Sequence, residues 1–101
     1  MGAMGVKSRM TIINMTSQRV DFAHGSMSGM KGGDVSPSSQ LPEPYASEYA
    51  RAVAGRRVDY SLFSYRTPIA WKLDDGTTVV PEVSYSVTTS VHQAVAREAL
   101  A

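Results

Sequence analysis

The feature that most constrains the fold is a pair of apolar segments joined by a short turn. The segments YSLFSYRTPIAWKL and TTVVPEVSYSV flank DDG between residues 60 and 87. Alternate residues of a strand point to the same face, so apolar residues at odd positions predict strands with one apolar face. These residues are Phe63, Tyr65, Ile69 and Trp71 in the first segment and Val79, Val83, Tyr85 and Val87 in the second. Together the segments predict an antiparallel β-hairpin.

The length of the turn sets the register of this hairpin. A two-residue loop of Asp75 and Gly76 would pair odd positions with even ones and put the two apolar sets on opposite faces. A three-residue loop, 74–76, pairs odd positions with each other and gives Gly76 the left-handed position of a bulge. The expected pairs are Leu73 with Thr77, Trp71 with Val79, Tyr65 with Tyr85 and Phe63 with Val87. Pro68 and Pro81 each remove a ladder donor, so neither arm is expected to be an unbroken central strand.

A helix is predicted before the hairpin, over residues 44–54. Pro44 suits its first turn, and Gly55 offers the left-handed residue that ends a helix. Four apolar residues at positions i, i+4, i+7 and i+8 form one stripe that is expected to face the core. They are Tyr45, Tyr49, Ala52 and Val53.

A second helix is predicted after the hairpin. Ser90 and Gln93 form an S-x-x-Q capping box, which favours a helix start at Ser90. The apolar stripe that follows is expected to pack on the odd face of the hairpin, with Arg97 to the side. It consists of Val91, Ala94, Val95 and Ala99.

The N-terminal part gives weaker patterns. Residues 1–9 are interpreted as a disordered tag or N-terminus, and the β-favouring mixture of residues 10–23 predicts a strand. Residues 24–43 are rich in Gly, Ser and Pro without an apolar period, which predicts a flexible loop. Residues 44–101 are then expected to form a helix-hairpin-helix core. The 101 residues suit one small α+β domain, with an antiparallel hairpin of two to three strands packed against two helices.

Composition excludes several classes of function. Ten basic and nine acidic residues give a net charge of +1, too little to require nucleic acid or anionic lipid as a partner. The absence of cysteine excludes disulfides and thiolate chemistry. No apolar run approaches the roughly 18 to 20 residues of a membrane span, so no membrane partner is expected.

The sequence also lacks the residues of common catalytic and metal sites. His24 and His92 are the two histidines, too few with scattered carboxylates to predict a metal ion, and no cofactor is expected. Ser90 and His92 have the chemistry of a nucleophile and a base, but no orienting acid stands near them in sequence. We therefore expect the protein not to be an enzyme.

Two motifs carry a resemblance to a known family. SYRTPIAW at 64–71 and YSVTTSVHQ at 85–93 are similar to a family of small domains of unknown function found in bacteriophage and prophage genomes. The resemblance covers about residues 60–100. It implies a small phage accessory protein in the cytoplasm of a bacterial host, and it brings no active site or ligand.

Three binding functions remain open. The first is binding of a host or phage protein, through the edge of the sheet or through a segment that folds on binding; the same edge would let two copies pair as a homodimer. The second is nucleic-acid binding by Arg56, Arg57 and Arg66, although the near-zero net charge favours a solvated surface.

The third is anion binding at the start of the last helix, where amide groups carry partial positive charge. The candidate residues are Thr88, Thr89, Ser90, His92 and Gln93. The non-binding interpretation is the stronger one, because the same hydroxyls are typical of a strand that ends in a capped helix, and a histidine in a first turn usually faces solvent.

Overall fold

The computed structural model describes residues 6–37, 39–81 and 87–100, with side chains for 7–37, 39–81 and 91–100. Three helices and five strands lie in these ranges. They are α1 Val6–Ser17, β1 Phe22–His24, β2 Met27–Lys31, α2 Tyr45–Ala54, β3 Val58–Ser64, β4 Thr67–Leu73, β5 Thr78–Val79 and α3 Val87–Leu100. The strands form one antiparallel sheet in the order β1-β2-β3-β4-β5. The fold is thus a small α+β fold, with more strands and one more helix than predicted.

Helices cover both faces of the sheet. Tyr60 and Leu62 of β3 lie in an apolar cluster with α1 and α3. On the other face Trp71 of β4, opposite Ser61 of β3, packs against Tyr49 of α2 with ring centroids 4.7 Å apart. The prediction that one odd face would pack on both helices is therefore wrong. Trp71 packs on α2, whereas Ile69 lies in the cluster with α1 and α3, because the register of β3 and β4 shifts between Leu62 and Phe63.

The predicted strand over residues 10–23 is a helix through Ser17, and β1 begins only at Phe22. Ile12 and Thr16 are one helical turn apart and both fully buried. Residues 6–9, expected to be disordered, belong to the same helix, where Arg9 pairs with Glu98 of α3. Thr, Ile and Asn have weak helix propensity, so packing against α3 decides the conformation.

The predicted flexible loop over residues 24–43 contains strand β2. Its residues pair with β1 on one side and β3 on the other. Gly29 is required in this strand, because a Cβ there would lie 2.4 Å from the Phe22 ring and 2.5 Å from the Tyr60 hydroxyl. After β2 the chain is anchored again where the Gln40 amide donates to Thr67 Oγ1 and where Leu41 is buried. The core therefore extends well N-terminal of residue 44.

The first arm of the predicted hairpin is itself a hairpin. Strands β3 and β4 are joined by a two-residue turn, Tyr65 and Arg66, with Ser64 opposite Thr67. The expected pairs of Tyr65 with Tyr85 and of Phe63 with Val87 are wrong, since Phe63 pairs with Ser28 and Pro68 and residue 87 begins a helix. Tyr85 itself lies outside the described residues. The alternation of apolar residues continues from β3 through the turn into β4, so the turn is not visible in the apolar pattern of the sequence.

The register at the second turn is confirmed. Trp71 pairs with Val79, the Leu73 amide donates to the Thr77 carbonyl, and Gly76 has φ +90° as the bulge requires. Pro68 lies in β4 opposite Phe63 of β3, and within the described residues no strand pairs with it on its other side.

Helix α2 matches its predicted bounds and its predicted apolar stripe, which packs against Trp71 and Val58. The residue that turns the chain at its end was predicted wrongly. Gly55 has φ −82°, and Arg56, with φ 56°, takes the left-handed conformation. An arginine thus occupies a conformation that glycine adopts at lower cost.

Helix α3 begins at Val87, three residues before the predicted cap, so the proposed capping box of Ser90 and Gln93 is wrong. The side chain of Ser90 lies outside the described residues. The buried stripe is also rotated from the predicted one, with Ala94 exposed and Val91 only partly buried. It follows the i, i+3, i+4, i+7, i+8 pattern of a core-facing helix. Its residues are His92, Val95, Ala96, Ala99 and Leu100.

A buried chain of hydrogen bonds fastens α2 to the sheet. Ser61 Oγ donates to the Gly32 carbonyl at 2.7 Å, which uses its one proton, so the Tyr49 hydroxyl donates to Ser61 Oγ at 2.9 Å. The Tyr49 oxygen in turn accepts from the Asp34 amide at 3.1 Å. Burial raises the pKa of Tyr49, which keeps it in the neutral form that can donate.

We expect Tyr49→Phe to lower the free energy of unfolding by about 1 to 2 kcal/mol, because it leaves a part-buried amide without its acceptor. Urea unfolding of the two proteins measures the difference. Tyr45→Phe is the matched control on the same helix, since the Tyr45 hydroxyl has no hydrogen bond within the described part of the chain. Equal losses in both variants would contradict the role given to this chain of hydrogen bonds.

Candidate functional site

The three arginines predicted to bind nucleic acid do not form one surface. Arg56 and Arg57 precede β3 and Arg66 follows it, so the seven residues of β3, about 20 Å of extended chain, separate them. Arg57 also lies 3.9 Å from Asp74, which offsets part of its charge. The structure therefore places Arg56 and Arg66 at two different ends of the sheet.

The residues predicted at the start of α3 are likewise divided. His92 and Gln93 are buried against the sheet, where His92 Nδ1 lies 2.8 Å from Ser64 Oγ and Gln93 Nε2 donates to the Pro81 carbonyl at 3.0 Å. Thr88, Thr89 and Ser90 lie in the first turn of the helix, and their side chains are outside the described residues. The expectation that His92 faces solvent is wrong.

The Ser64 and His92 pair contains the atoms of a nucleophile and a base, but it is enclosed. Ser64 is 2% exposed and His92 is 5% exposed, so the hydroxyl is not accessible to a substrate in this conformation. Desolvation by burial lowers the pKa of His92, which favours the neutral ring. The pair joins α3 to the central strand.

One open groove lies beside the turn between β3 and β4, and we call it the turn groove. Its volume is about 160 Å³. The lining residues are Ser28, Met30, Asp34, Ser36, Phe63, Tyr65 and Arg66. Tyr65 stands at its rim and is 64% exposed, the highest value among the exposed large apolar side chains of the described residues.

Tyr65 occupies a conformation that a bulky residue rarely adopts. Its φ is 57°, and two-residue hairpin turns place Gly, Asn or Asp at such positions. The Tyr65 amide donates to the Ser26 carbonyl at 2.6 Å, so the backbone of the turn is held by the neighbouring turn between β1 and β2. The turn therefore presents an aromatic ring at some cost in backbone energy.

A second groove lies at the other end of β3, and we call it the glycine groove. Its volume is about 220 Å³. The lining residues are Lys31, Gly32, Gly33, Val53, Arg56 and Val58. Sequence reasoning selected Arg56 and missed Lys31. The triplet Lys31-Gly32-Gly33 is a sequence pattern that indicates this groove, but it lies within the predicted flexible loop over residues 24–43.

Two further features bear on the kinds of site available. No group of three or more His, Asp or Glu side chains stands close enough to hold a metal ion in the portion of the chain that the structure describes. Among the helices in that portion, none has the length and apolar character of a membrane span.

Comparison with known proteins gives the family. A family model described as a family of unknown function, DUF8033, matches residues 10–98. The chain belongs to this family. Comparisons with curated proteins and with solved structures gave no significant match.

Membership of DUF8033 extends further along the chain than the resemblance over residues 60–100 implied. The matched range includes most of α1 and all of β1, β2 and α2. Both grooves thus lie wholly within the DUF8033 match. The N-terminal half is a part of the family domain and not an addition peculiar to this protein.

We expect the unfolding free energy to fall as pH is lowered from about 7 to 5, through His92. The unfolded-state pKa of histidine is about 6.5, and burial lowers the pKa of His92 in the folded state. The folded state therefore binds fewer protons in this range. Its stability is complete above about pH 6.5 and is lost as pH falls through the folded-state pKa. Urea unfolding at several pH values measures this.

The variant His92→Asn keeps an acceptor near the position of Nδ1 but does not titrate, so its stability should depend less on pH in this window. His24→Asn is the control, because His24 is exposed and lies on β1. An unchanged pH dependence in His92→Asn would show that another group is responsible.

Proposed function

We propose that this protein is a non-enzymatic phage accessory protein that binds a host or phage protein through the turn groove. The observation that carries the proposal is the exposed pair of Tyr65 and Arg66 on a tight turn beside an open groove. Tyr and Arg are among the residue types most enriched at the energetic centres of protein interfaces.

The backbone of the turn supports a functional reason for Tyr65. Non-glycine residues with positive φ cost of order 1 kcal/mol or more and cluster at binding and catalytic sites. Burial of the Tyr65 side chain offsets little of this cost, since 64% of its surface is exposed. Contact of the ring with a partner would explain why a mostly exposed tyrosine occupies this costly backbone conformation.

The chemistry of the groove favours a polypeptide over a nucleic acid. The lining combines apolar side chains, Met30 and Phe63, with one acidic and one basic residue, Asp34 and Arg66. A peptide segment carries apolar groups and both signs of charge, whereas a phosphate backbone would be repelled by Asp34. The turn groove thus suits a protein partner.

The edges of the sheet suit pairing with another chain less well. The outer strands are short, three residues in β1 and two in β5, and short edge strands offer few ladder bonds to a partner. A homodimer through strand pairing therefore has less support than binding through the turn groove.

The cellular setting belongs to the proposal as well. The motifs at 64–71 and 85–93, with their similarity to phage and prophage domains, support a role in the cytoplasm of a bacterial host. The first of these motifs contains the Tyr65 and Arg66 turn, so the resemblance and the proposed binding surface coincide at residues 64–67.

Affinity capture of the tagged full chain from bacterial lysate, with and without nuclease, tests the proposal. We expect one stoichiometric protein to be retained, and expect Tyr65→Gly and Arg66→Ala each to reduce its capture by about tenfold or more, as for central interface residues. Tyr65→Gly should leave the melting temperature unchanged or higher, because glycine adopts positive φ without strain.

Arg56→Gly is the matched control, since it also replaces a positive-φ residue by glycine but lies at the other end of β3. It should leave capture unchanged. Capture unaffected by Tyr65→Gly and Arg66→Ala would contradict binding at the turn groove. Retained material that disappears with nuclease would favour instead a nucleic-acid partner at the Arg56 and Arg57 end.

A further inference from the structure

We propose that the glycine groove is a binding site for a phosphate group. This goes beyond the proposed protein-binding function and uses the other end of β3. The site is formed where β2 ends, α2 ends and β3 begins. Among the described residues, its lining carries two cations and no acidic side chain.

The two cations are unpaired. Within residues 6–37, 39–81 and 87–100, neither Lys31 nor Arg56 makes an ion pair or a side-chain hydrogen bond. Two nearby carboxylates are paired elsewhere: Asp59 lies 3.5 Å from Arg19, and Asp74 lies 3.9 Å from Arg57. A third, Asp21, accepts a hydrogen bond from the Lys31 backbone amide at 2.8 Å. The lining of the groove thus carries two positive charges, with one carboxylate beside Lys31.

The backbone between the cations is held in a fixed conformation. Gly32 has φ +72° and is fixed by two hydrogen bonds, from its amide to the Asp59 carbonyl and from Ser61 Oγ to its carbonyl. Gly33 admits no side chain, because a Cβ there would lie 2.5 Å from the Tyr49 hydroxyl and 2.8 Å from Val53 Cγ2.

The amide of Gly33 makes no hydrogen bond inside the described part of the chain, so a donor is available in the lining of the groove. The Gly32 amide already donates to the Asp59 carbonyl, so Gly33 supplies the one free glycine amide beside the two cations in the described part of the chain. A ready backbone donor and two free cations are the groups that hold a phosphate.

The conformation of Arg56 gives independent support. The chain leaves α2 through a left-handed residue, and glycine is available one position earlier, yet Gly55 has negative φ and Arg56 takes φ 56°. The backbone therefore bears a cost to place an arginine at this corner. Gly33, which also lines the groove, lies against Tyr49 and Val53 of α2.

The size of the groove limits the ligand to a single charged group. A volume of about 220 Å³ is below the roughly 300 Å³ at which sites for whole drug-sized molecules begin. A phosphate of a small metabolite and a phosphate of a nucleic-acid backbone share this chemistry, and the test must separate them.

Titration of the ¹⁵N-labelled full chain with sodium phosphate, against sodium chloride at the same ionic strength, tests the proposal. We expect saturable shifts of the Gly32 and Gly33 amide signals with phosphate only. The double variant Lys31→Gln with Arg56→Gly should bind phosphate about tenfold more weakly or worse, because it removes both charge-assisted contacts. Arg51→Gln, an exposed arginine of α2 outside the groove, should bind as the wild type does.

A second titration with single-stranded oligothymidylate separates the two sources. Shifts of the same amides that weaken steeply with salt would identify a nucleic-acid backbone, and saturation by phosphate alone would identify a free phosphorylated molecule. Non-saturating shifts, or equal binding by wild type and double variant, would overturn the proposal. Lys31→Gln alone, at an exposed position, serves the same comparison if the double variant does not fold.

Discussion

Strand β3 is paired along both edges and covered on both faces, and the other elements are arranged to satisfy these four contacts. From Tyr60 to Ser64 every side chain is buried. Strands β2 and β4 complete its hydrogen bonds, α1 and α3 cover Tyr60 and Leu62, and α2 covers the face of Ser61. A strand buried in this way supports a small domain because it removes apolar area on two sides at once.

Burial of β3 also requires partners for its two serines, and these partners fix the helices. Ser61 is bonded to Tyr49 of α2 and to Gly32, and Ser64 is bonded to His92 of α3. A buried hydroxyl without a partner is costly, so each bond selects one position of its helix against the sheet. The polar groups in the interior thus specify the orientation of layers that apolar contacts alone would hold less uniquely.

Because the centre of β3 is buried by the helices and neighbouring strands, the two candidate binding grooves lie at its ends. A positive-φ residue with a long side chain stands near each end, Arg56 before the strand and Tyr65 after it, and each borders a groove. Sequence reasoning selected Arg56 and Arg66 as candidate site residues but placed them on one surface. It could not separate them, because the turn at Tyr65 and Arg66 lacks the glycine or asparagine that usually marks a reversal.

The sequence by itself determined the elements whose signals are local. The Asp-Asp-Gly turn and its register and the apolar stripe of α2 follow from spacing and turn chemistry within a few residues. Tertiary structure decided the rest. Helix α1 forms because Ile12 packs in the core between α3 and the sheet. Gly29 lets strand β2 lie against the Tyr60 hydroxyl, and His92 directs the buried face of α3 toward Ser64. All of these partners are distant in sequence. Long-range packing outweighs local propensity wherever burial supplies more free energy than the tenths of a kcal/mol, up to roughly 1 kcal/mol, by which residues differ in preference.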